Sequence, residues 1–550
     1  GSNIMELLTN VEVPEEYVET LEGYFSIDLP KSYNCVSTFL DRHIEADRGD
    51  NVAIYYGHEA ITYSTVYEKA NRMGNALAEL GVERGNRVYL LLPDSPSLIY
   101  GMLGAMKIAA VPIPINTRLP DESQTYMIND SRAKVVIVSE DHLEMIERIK
   151  PQLKFFKHIV VDGKSSQYTR LEDLLASASP KLETAETDKD ETAFWLYTSG
   201  STGEPKGVIH QHQNWIYCCE CYARPILNIS EQDVHLSVSK LFHAYGLGNG
   251  LFFPFYVGGS TVMFPGIPRP EPFLAAATEH KVTLFYGVPT FYAAALAIPD
   301  IEKKYDLSNI RLCTSAGEPL PQVIFERWLE KFQVEILDGI GSTEILHIYI
   351  SPRPGQVKPG STGWPCPGYE AKIIDEEGNT LNRGDMGILL VKGESTTTGF
   401  WNKKAKTRKQ CQGEWFNTED LWYIDEQGYY WYSGRSDDAF KTRGEWVMPV
   451  EVENVIIKHP EVLESAVIGI KDEKGLDKPM AFVVLLDGKG KHNSNGLEEE
   501  LKDHIRNELP GYKVPSWIRF VPELPKTATG KFQRFKLRQD VREEQYKSSL

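Results

Sequence analysis

Short apolar runs of strand length alternate with stretches of helical periodicity between Val52 and Asp162: residues 87–92, 97–110, 111–115, 135–139 and 159–162. This alternation restricts the fold more than any other feature, because repeated strand–helix–strand units pack as α/β layers. The rhythm returns at 282–287, 289–296, 310–315, 321–332 and 334–339. Several of these strands end in Gly, Ser or Asp, and open α/β sheets take their ligands beyond the carboxyl ends of strands. A site is therefore expected along that edge.

Beyond about Gly360 the texture changes to short strands with turns such as Asp375-Glu-Glu-Gly378 and Asp425-Glu-Gln-Gly428, which predicts a β-rich subdomain. A second change follows Gly434-Arg435-Ser436-Asp437-Asp438, after which strand-like runs at 465–470 and 480–486 and a helical pattern at 496–509 predict a small α+β unit. The expected class is α/β: residues 1–436 as a large domain of α/β subdomains plus a β-rich subdomain, and 437–550 as a small α+β domain. At 550 residues, two or more cores are needed.

Charge narrows the partners. With 59 Lys+Arg against 77 Asp+Glu, the net charge of −18 repels nucleic acid and anionic membranes. The longest apolar run, 251–264, is too short to span a bilayer and is broken by Pro254, so no membrane insertion is expected. The start lacks a signal-peptide pattern, with Met5 as the expected natural beginning. Seven cysteines fit a reducing cytoplasm better than a disulfide framework, and the cluster Cys218-Cys219-Glu220-Cys221 lacks zinc-site spacing. Homo-oligomerisation is left open.

Four segments can carry chemistry. The first is Tyr197-Thr-Ser-Gly-Ser-Thr-Gly-Glu-Pro-Lys-Gly207, expected between a strand and a helix. Its glycines let backbone N–H groups approach phosphate oxygens, Thr198, Ser199, Ser201 and Thr202 supply hydroxyls, and Lys206 adds a cation. It is no Walker loop, because Pro205-Lys206-Gly207 replaces Gly-Lys-Ser/Thr. The second, Asp338-Gly-Ile-Gly-Ser-Thr-Glu344, offers Glu344 as a magnesium ligand beside phosphates. In the third, Phe416-Asn-Thr-Glu-Asp420, the aspartate can accept from two ribose hydroxyls. The fourth, Pro525-Lys-Thr-Ala-Thr-Gly-Lys531-Phe-Gln-Arg534, is a basic stretch whose lysine suits charge developing on oxygen. Each also has an ordinary reading as a flexible linker, a solvated loop, a turn or a basic tail.

In this order, together with Gly434–Asp438, the segments resemble the adenylate-forming superfamily of acyl-CoA synthetases, firefly luciferase and peptide-synthetase adenylation domains. The resemblance spans nearly the whole chain. It implies two half-reactions: a carboxylate and ATP give an acyl-adenylate and pyrophosphate, then the thiol of coenzyme A displaces AMP. It also implies roles. Thr198, Ser199, Gly200, Ser201, Thr202, Gly203 and Lys206 form the β/γ-phosphate loop, and Gly317-Glu318-Pro319 packs on adenine. Asp338 and Gly339 belong to the nucleotide site, Thr343 contacts the α-phosphate and Glu344 binds Mg2+. Asp420 and Arg435 hold the ribose, while Lys531 bridges carboxylate and α-phosphate. Loss of such a charge-stabilising donor costs on the order of 100 to 1,000-fold in rate. Asp437 resembles a hinge about which the mobile C-terminal domain turns, bringing Lys441 and Gly444 to the CoA tunnel. Trp446 departs from the arginine of acetyl-CoA synthetases.

His243 stands where amino-acid-activating relatives carry an acid, so it disfavours an amino-acid substrate and resembles a gate between acyl pocket and thiol tunnel. Gly341 replaces the Trp with which acetate enzymes shorten the pocket. The segments around His243, Gly287 and Gly339–His347 most resemble benzoate-CoA ligases, which makes Ala244, Tyr245, Gly317, Ile340, Gly341 and His347 the expected wall for a flat ring. A medium-chain fatty acyl-CoA synthetase, a nucleotide-binding protein without ligase activity and a P-loop ATPase are the alternatives.

Overall fold

The computed structural model describes residues 18–21, 24–198, 204–486, 496–526 and 532–549. Two mainly parallel sheets carry its first half. In one, the strands run Val111–Pro114, Arg87–Leu91, Val135–Ser139, His158–Asp162 and Thr169–Arg170, all neighbours parallel. In the other, seven strands run Ile336–Asp338, Leu312–Ser315, Leu284–Gly287, Val234–Ser237, Ser260–Met263, Val52–Tyr56 and Glu59–Thr62, with only the last pair antiparallel. The β-branched run Val135–Ser139 is buried at every residue, as a strand covered on both faces must be. Helix Pro96–Lys107 begins with Pro96 behind the cap residue Ser95, whose hydroxyl accepts from the Leu98 N–H.

Adjacent strands bring distant loops to one edge. Ser315 pairs with Asp338, and the Gly339 N–H donates to the Ser315 carbonyl at 3.0 Å, so loops 316–321 and 339–347 emerge side by side. This is the edge expected to hold ligand.

One expectation fails. The strand Thr192–Thr198 is followed by a strand, Lys206–Gln211, antiparallel to it, where a helix was expected. The β-branched Val208 and Ile209 favour extended backbone, and the helix Asn214–Cys218 begins only later. Among the described residues, a strand and not a helix N-terminus therefore follows the phosphate-loop candidate.

The β-rich subdomain is antiparallel. Glu370–Ile374, Gly387–Lys392 and Trp415–Ile424 lie in order, with Cys411–Gln412 and Tyr430–Arg435 also paired to Trp415–Ile424. After the hairpin Phe440–Thr442/Glu445–Val447 comes the sheet Val462–Lys471, Asp477–Leu485 and Trp517–Phe520. Its faces carry separate apolar clusters. One holds Val467, Ala481 and Leu501, and the other Ala466, Phe482 and Leu537. The basic stretch after Lys531 runs into a helix, Arg534–Ser549, with Arg534 buried rather than solvated. Six of the seven cysteines are buried, all are free thiols, and no described helix is long and apolar enough to cross a membrane.

Candidate active site

At the phosphate-loop candidate, Thr198 closes one strand and Lys206 opens its partner, the two directly opposite. Ser199, Gly200, Ser201, Thr202 and Gly203 lie outside the described residues. Burial lowers the Lys206 pKa, and Lys406 and Lys403 lower it further while Glu344 and Glu419 oppose them. Three lysines thus converge where an anion would relieve their repulsion. Lys403 and Lys406 come from a helix boundary that carries no recognisable motif.

Thr343 and Glu344 sit in a turn held from three sides. His210 Nε2 is 2.7 Å from the Thr343 carbonyl, the Thr397 N–H donates to the Glu344 carbonyl at 2.7 Å, and the Ile345 N–H donates to Ser342 Oγ. Asn214 Nδ2 donates to His210 Nδ1 at 2.8 Å, which leaves Nε2 as the protonated nitrogen facing Thr343. Burial lowers the His210 pKa to about 4, so the ring stays neutral. The sequence reading missed His210. Its only local signal is a place four residues before Asn214.

Asp338 is 4% exposed and accepts from the Leu320 N–H at 2.9 Å. Burial pushes its pKa up to about 8, with the Leu320 N–H opposing. It therefore anchors the loop that carries Gly317, Glu318 and Pro319. Gly317 has φ +99° and open space around it. Asp420 and Arg435 are directly opposite on paired strands, Nη1 to Oδ1 3.7 Å. Burial works against the Arg435 charge, but Asp420, Tyr432, Asp437 and Glu419 raise its pKa. Asp437 is exposed, 3.8 Å from Arg435 Nε.

Of the expected wall residues, Tyr245 and Gly341 meet at His347, which is 2% exposed, while Gly317 lies on the loop described above. Its Nε2 lies 3.1 Å from the Tyr245 carbonyl and 3.0 Å from Asn249 Oδ1, and burial lowers its pKa to about 3. Trp215, Tyr222, Tyr245 and Phe253 enclose the ring, at centroid distances from 4.5 to 6.2 Å. The Tyr245 hydroxyl is tied to the Gly287 carbonyl and Thr314 Oγ1. Ala244 is buried beside it, and Ile340 and Gly341 are half-buried on the neighbouring strand. A Cβ on Gly341 would come 2.6 Å from the His347 carbonyl oxygen, so this strand position admits no side chain without moving backbone. Gly339 is similarly crowded by Ile348.

His243 is half-buried at the start of helix Ala244–Leu247, where its Nδ1 accepts from the Tyr245 N–H. Beside it opens a cavity of about 380 Å³ lined by Arg118, Ser239, Lys240, Phe242, Arg269 and Thr290 among others. Three cations around one cavity, in so acidic a chain, form a feature that the sequence reading missed, because Arg118, Lys240 and Arg269 lie on unrelated loops. Lys441 stacks on Trp446 at 4.8 Å across an exposed hairpin, and Gly444 forms its turn at φ +81°. Neither meets His243 here. Lys531 lies outside the described residues. Its neighbour Phe532 donates its N–H to Glu318 Oε1 at 2.8 Å.

Comparison with known proteins agrees with this geometry. The AMP-binding enzyme family matches residues 40–401, and the AMP-binding enzyme C-terminal domain matches 451–531. A benzoate–CoA ligase of Thauera aromatica is 44% identical over 515 residues, 93% of this chain and 97% of its own. The crystal structure of the anthranilate CoA ligase AuaEII with anthranoyl-AMP superposes with a TM-score of 0.90 at 41% identity, covering 95% of this chain and 99% of that one. A benzoate CoA ligase from Burkholderia xenovorans LB400 gives 0.85 at 41% identity, with 92% and 100% covered.

Proposed function

The chain belongs to the AMP-binding enzyme family, and from that premise we propose how its residues carry out the ATP-dependent ligation of an aromatic carboxylate to coenzyme A. The enzyme is an AMP-forming acid–thiol ligase for benzoate or a related ring acid, with ATP and CoA as substrates. The observation that carries the reading is the aromatic enclosure around neutral His347 next to the Thr343–Glu344 turn. The packed rings supply a rigid apolar wall against which a flat acid can lie, and the turn supplies polar groups for a nucleotide phosphate.

In the first half-reaction a carboxylate oxygen attacks the α-phosphorus and the bond to pyrophosphate breaks. Lys206, flanked by Lys403 and Lys406, meets the β- and γ-phosphates, and Thr343, presented by His210, faces the α-phosphate. Glu344 is the half-buried carboxylate of the turn, and an oxygen donor beside phosphates fits Mg2+, which would neutralise charge on the leaving pyrophosphate. Asp420 and Arg435 hold the ribose, and Lys531 stabilises charge between carboxylate and phosphate. In the second half-reaction the CoA sulfur attacks the acyl carbon and AMP leaves. The His243 side admits the thiol, and the cavity bearing Arg118, Lys240 and Arg269 takes the nucleotide phosphates of CoA. The chain divides at Asp437, about which residues 437–550 turn to exchange Lys531 for Lys441 and Gly444. Buried free thiols support a reducing cytoplasm.

The test is AMP and acyl-CoA formation with ATP, Mg2+ and CoA across benzoate, hydroxybenzoates, aminobenzoates, cyclohexane carboxylates and C2 to C10 linear acids, with Lys531→Ala alongside. Ring acids should lead, and the variant should lose about 100 to 1,000-fold. Preference for linear chains would reassign the pocket, and a fully active variant would remove Lys531 from the mechanism.

A further inference from the structure

The bond between Glu318 and the Phe532 N–H joins two elements that are each held rigid by other contacts. On one side, Leu320 is held by buried Asp338, which pins the short loop carrying Glu318 to the end of the edge strand Ile336–Asp338. On the other, Phe532 pairs with Lys526 in an isolated antiparallel bridge, and the Gln533 N–H donates to the Pro525 carbonyl at 2.9 Å. Two residues on, Arg534 is 6% exposed and clasped by Glu453 at 2.5 and 3.1 Å, with Asp438 at 3.7 Å. Asp438 also takes Arg538 at 3.0 Å. Between the two elements the space, lined by Thr290, Glu318, Pro319, Val450, Glu453 and Phe532, amounts to about 40 Å³, too little for a substrate. The surfaces have closed on one another here.

An anionic acceptor strengthens an N–H bond, and pre-anchored partners lose little entropy in making it. The bond also exists only while the segment following Lys531 lies against the 317–321 loop. We propose that Glu318 is a positioning residue for the first half-reaction alone, its carboxylate setting the register of the segment that begins at Phe532 and so of the lysine that precedes it. This rests on the reading of Lys531 given above. The carboxylate touches no reacting atom in this role. Its work is done before adenylate forms, and it is released when the C-terminal unit turns.

The two half-reactions separate the possibilities in the full-length enzyme. Benzoate-dependent exchange of pyrophosphate into ATP reports the first, and CoA-dependent consumption of synthetic benzoyl-AMP reports the second. Glu318→Ala should lower the exchange kcat by about 10 to 100-fold, the scale of a lost charge-assisted bond, and any fall in benzoyl-AMP consumption, whose adenine the same loop faces, should be several-fold smaller. Glu318→Gln, which keeps an oxygen acceptor, should recover most of the loss. Equal loss in both half-reactions, no loss in either, or a rise in ATP KM with unchanged kcat would overturn the proposal. The second half-reaction also shows whether the variant is folded. Lys531→Ala distinguishes the parent reading: if it retains exchange, that reading fails, and if it loses exchange while Glu318→Ala does not, only the present proposal fails.

Discussion

Around His347 the site is walled by rings, with Trp215, Tyr222, Tyr245 and Phe253 packed on a neutral imidazole and the Tyr245 hydroxyl tied to backbone and Thr314. Around Glu318 it is held by charge, with Arg534 between Glu453 and Asp438 and Arg435 among Asp420, Glu419 and Asp437. The first region is over-determined by packing, which suits a pocket that must reject acids of the wrong shape. The second relies on a few directional contacts between elements far apart in the chain. Such contacts are strong when aligned and vanish when one side moves. Under the proposed function, selectivity and two-step chemistry use different kinds of interaction.

The largest break should come from the charged region. Arg534→Ala leaves Glu453 buried without its cation, and removing one partner of a buried pair costs about 3–5 kcal/mol. Urea unfolding should show a destabilised C-terminal transition, and a loss below about 1 kcal/mol would mean that solvent reaches the pair. The next break is steric. A Cβ on Gly248 would sit 2.5 Å from His347 Cδ2 and 2.9 Å from Trp215 Cζ3, so Gly248→Ala overpacks the ring wall by about 1–3 kcal/mol. We expect kcat/KM for benzoate to fall about tenfold or more while the ATP KM moves less than twofold. A matched change in both constants would show that the two regions are not separable.

A third test sharpens the comparison through pH. Asp338, with its pKa raised to about 8 by burial, keeps its proton in the folded state over a range where the unfolded carboxylate, near 3.9, has lost it. Its contribution to stability therefore falls as pH rises from about 4 to about 8 and is level above that. Asp338→Asn keeps an oxygen for the Leu320 N–H and removes the titration. The melting temperature of the variant relative to the parent should rise steadily between pH 5 and 8. A constant difference would mean that Asp338 is already ionised.

Local patterns were good guides to elements. The strand Val135–Ser139 and the helix Pro289–Leu296 fall on the residues that periodicity selects, because burial on both faces and helix-initiating proline are written in adjacent residues. The pattern misled at Lys206–Gln211, where pairing with Thr192–Thr198 makes a hairpin, and at Arg534, whose basic surroundings read as a solvated tail. In both cases the deciding partner lies elsewhere in the chain. His210, Asn214 and the cations Arg118, Lys240 and Arg269 were illegible for the same reason, since each is ordinary among its neighbours.

What the amino-acid sequence determined by itself was the layered α/β plan, the order of the phosphate, turn, ribose and lysine segments, and with them the class of reaction. The plan follows from periodicity, which acts over a few residues, and the class of reaction from the resemblance that the ordered segments carry to the adenylate-forming superfamily. Only the tertiary structure decided that a neutral His210 presents Thr343, that Glu318 reaches the residue after Lys531, and that Arg534 is a buried ion. These depend on which strand ends converge and on how much water is expelled there. Proton position and the strength of an ion pair follow from that desolvation, which no short stretch of sequence contains.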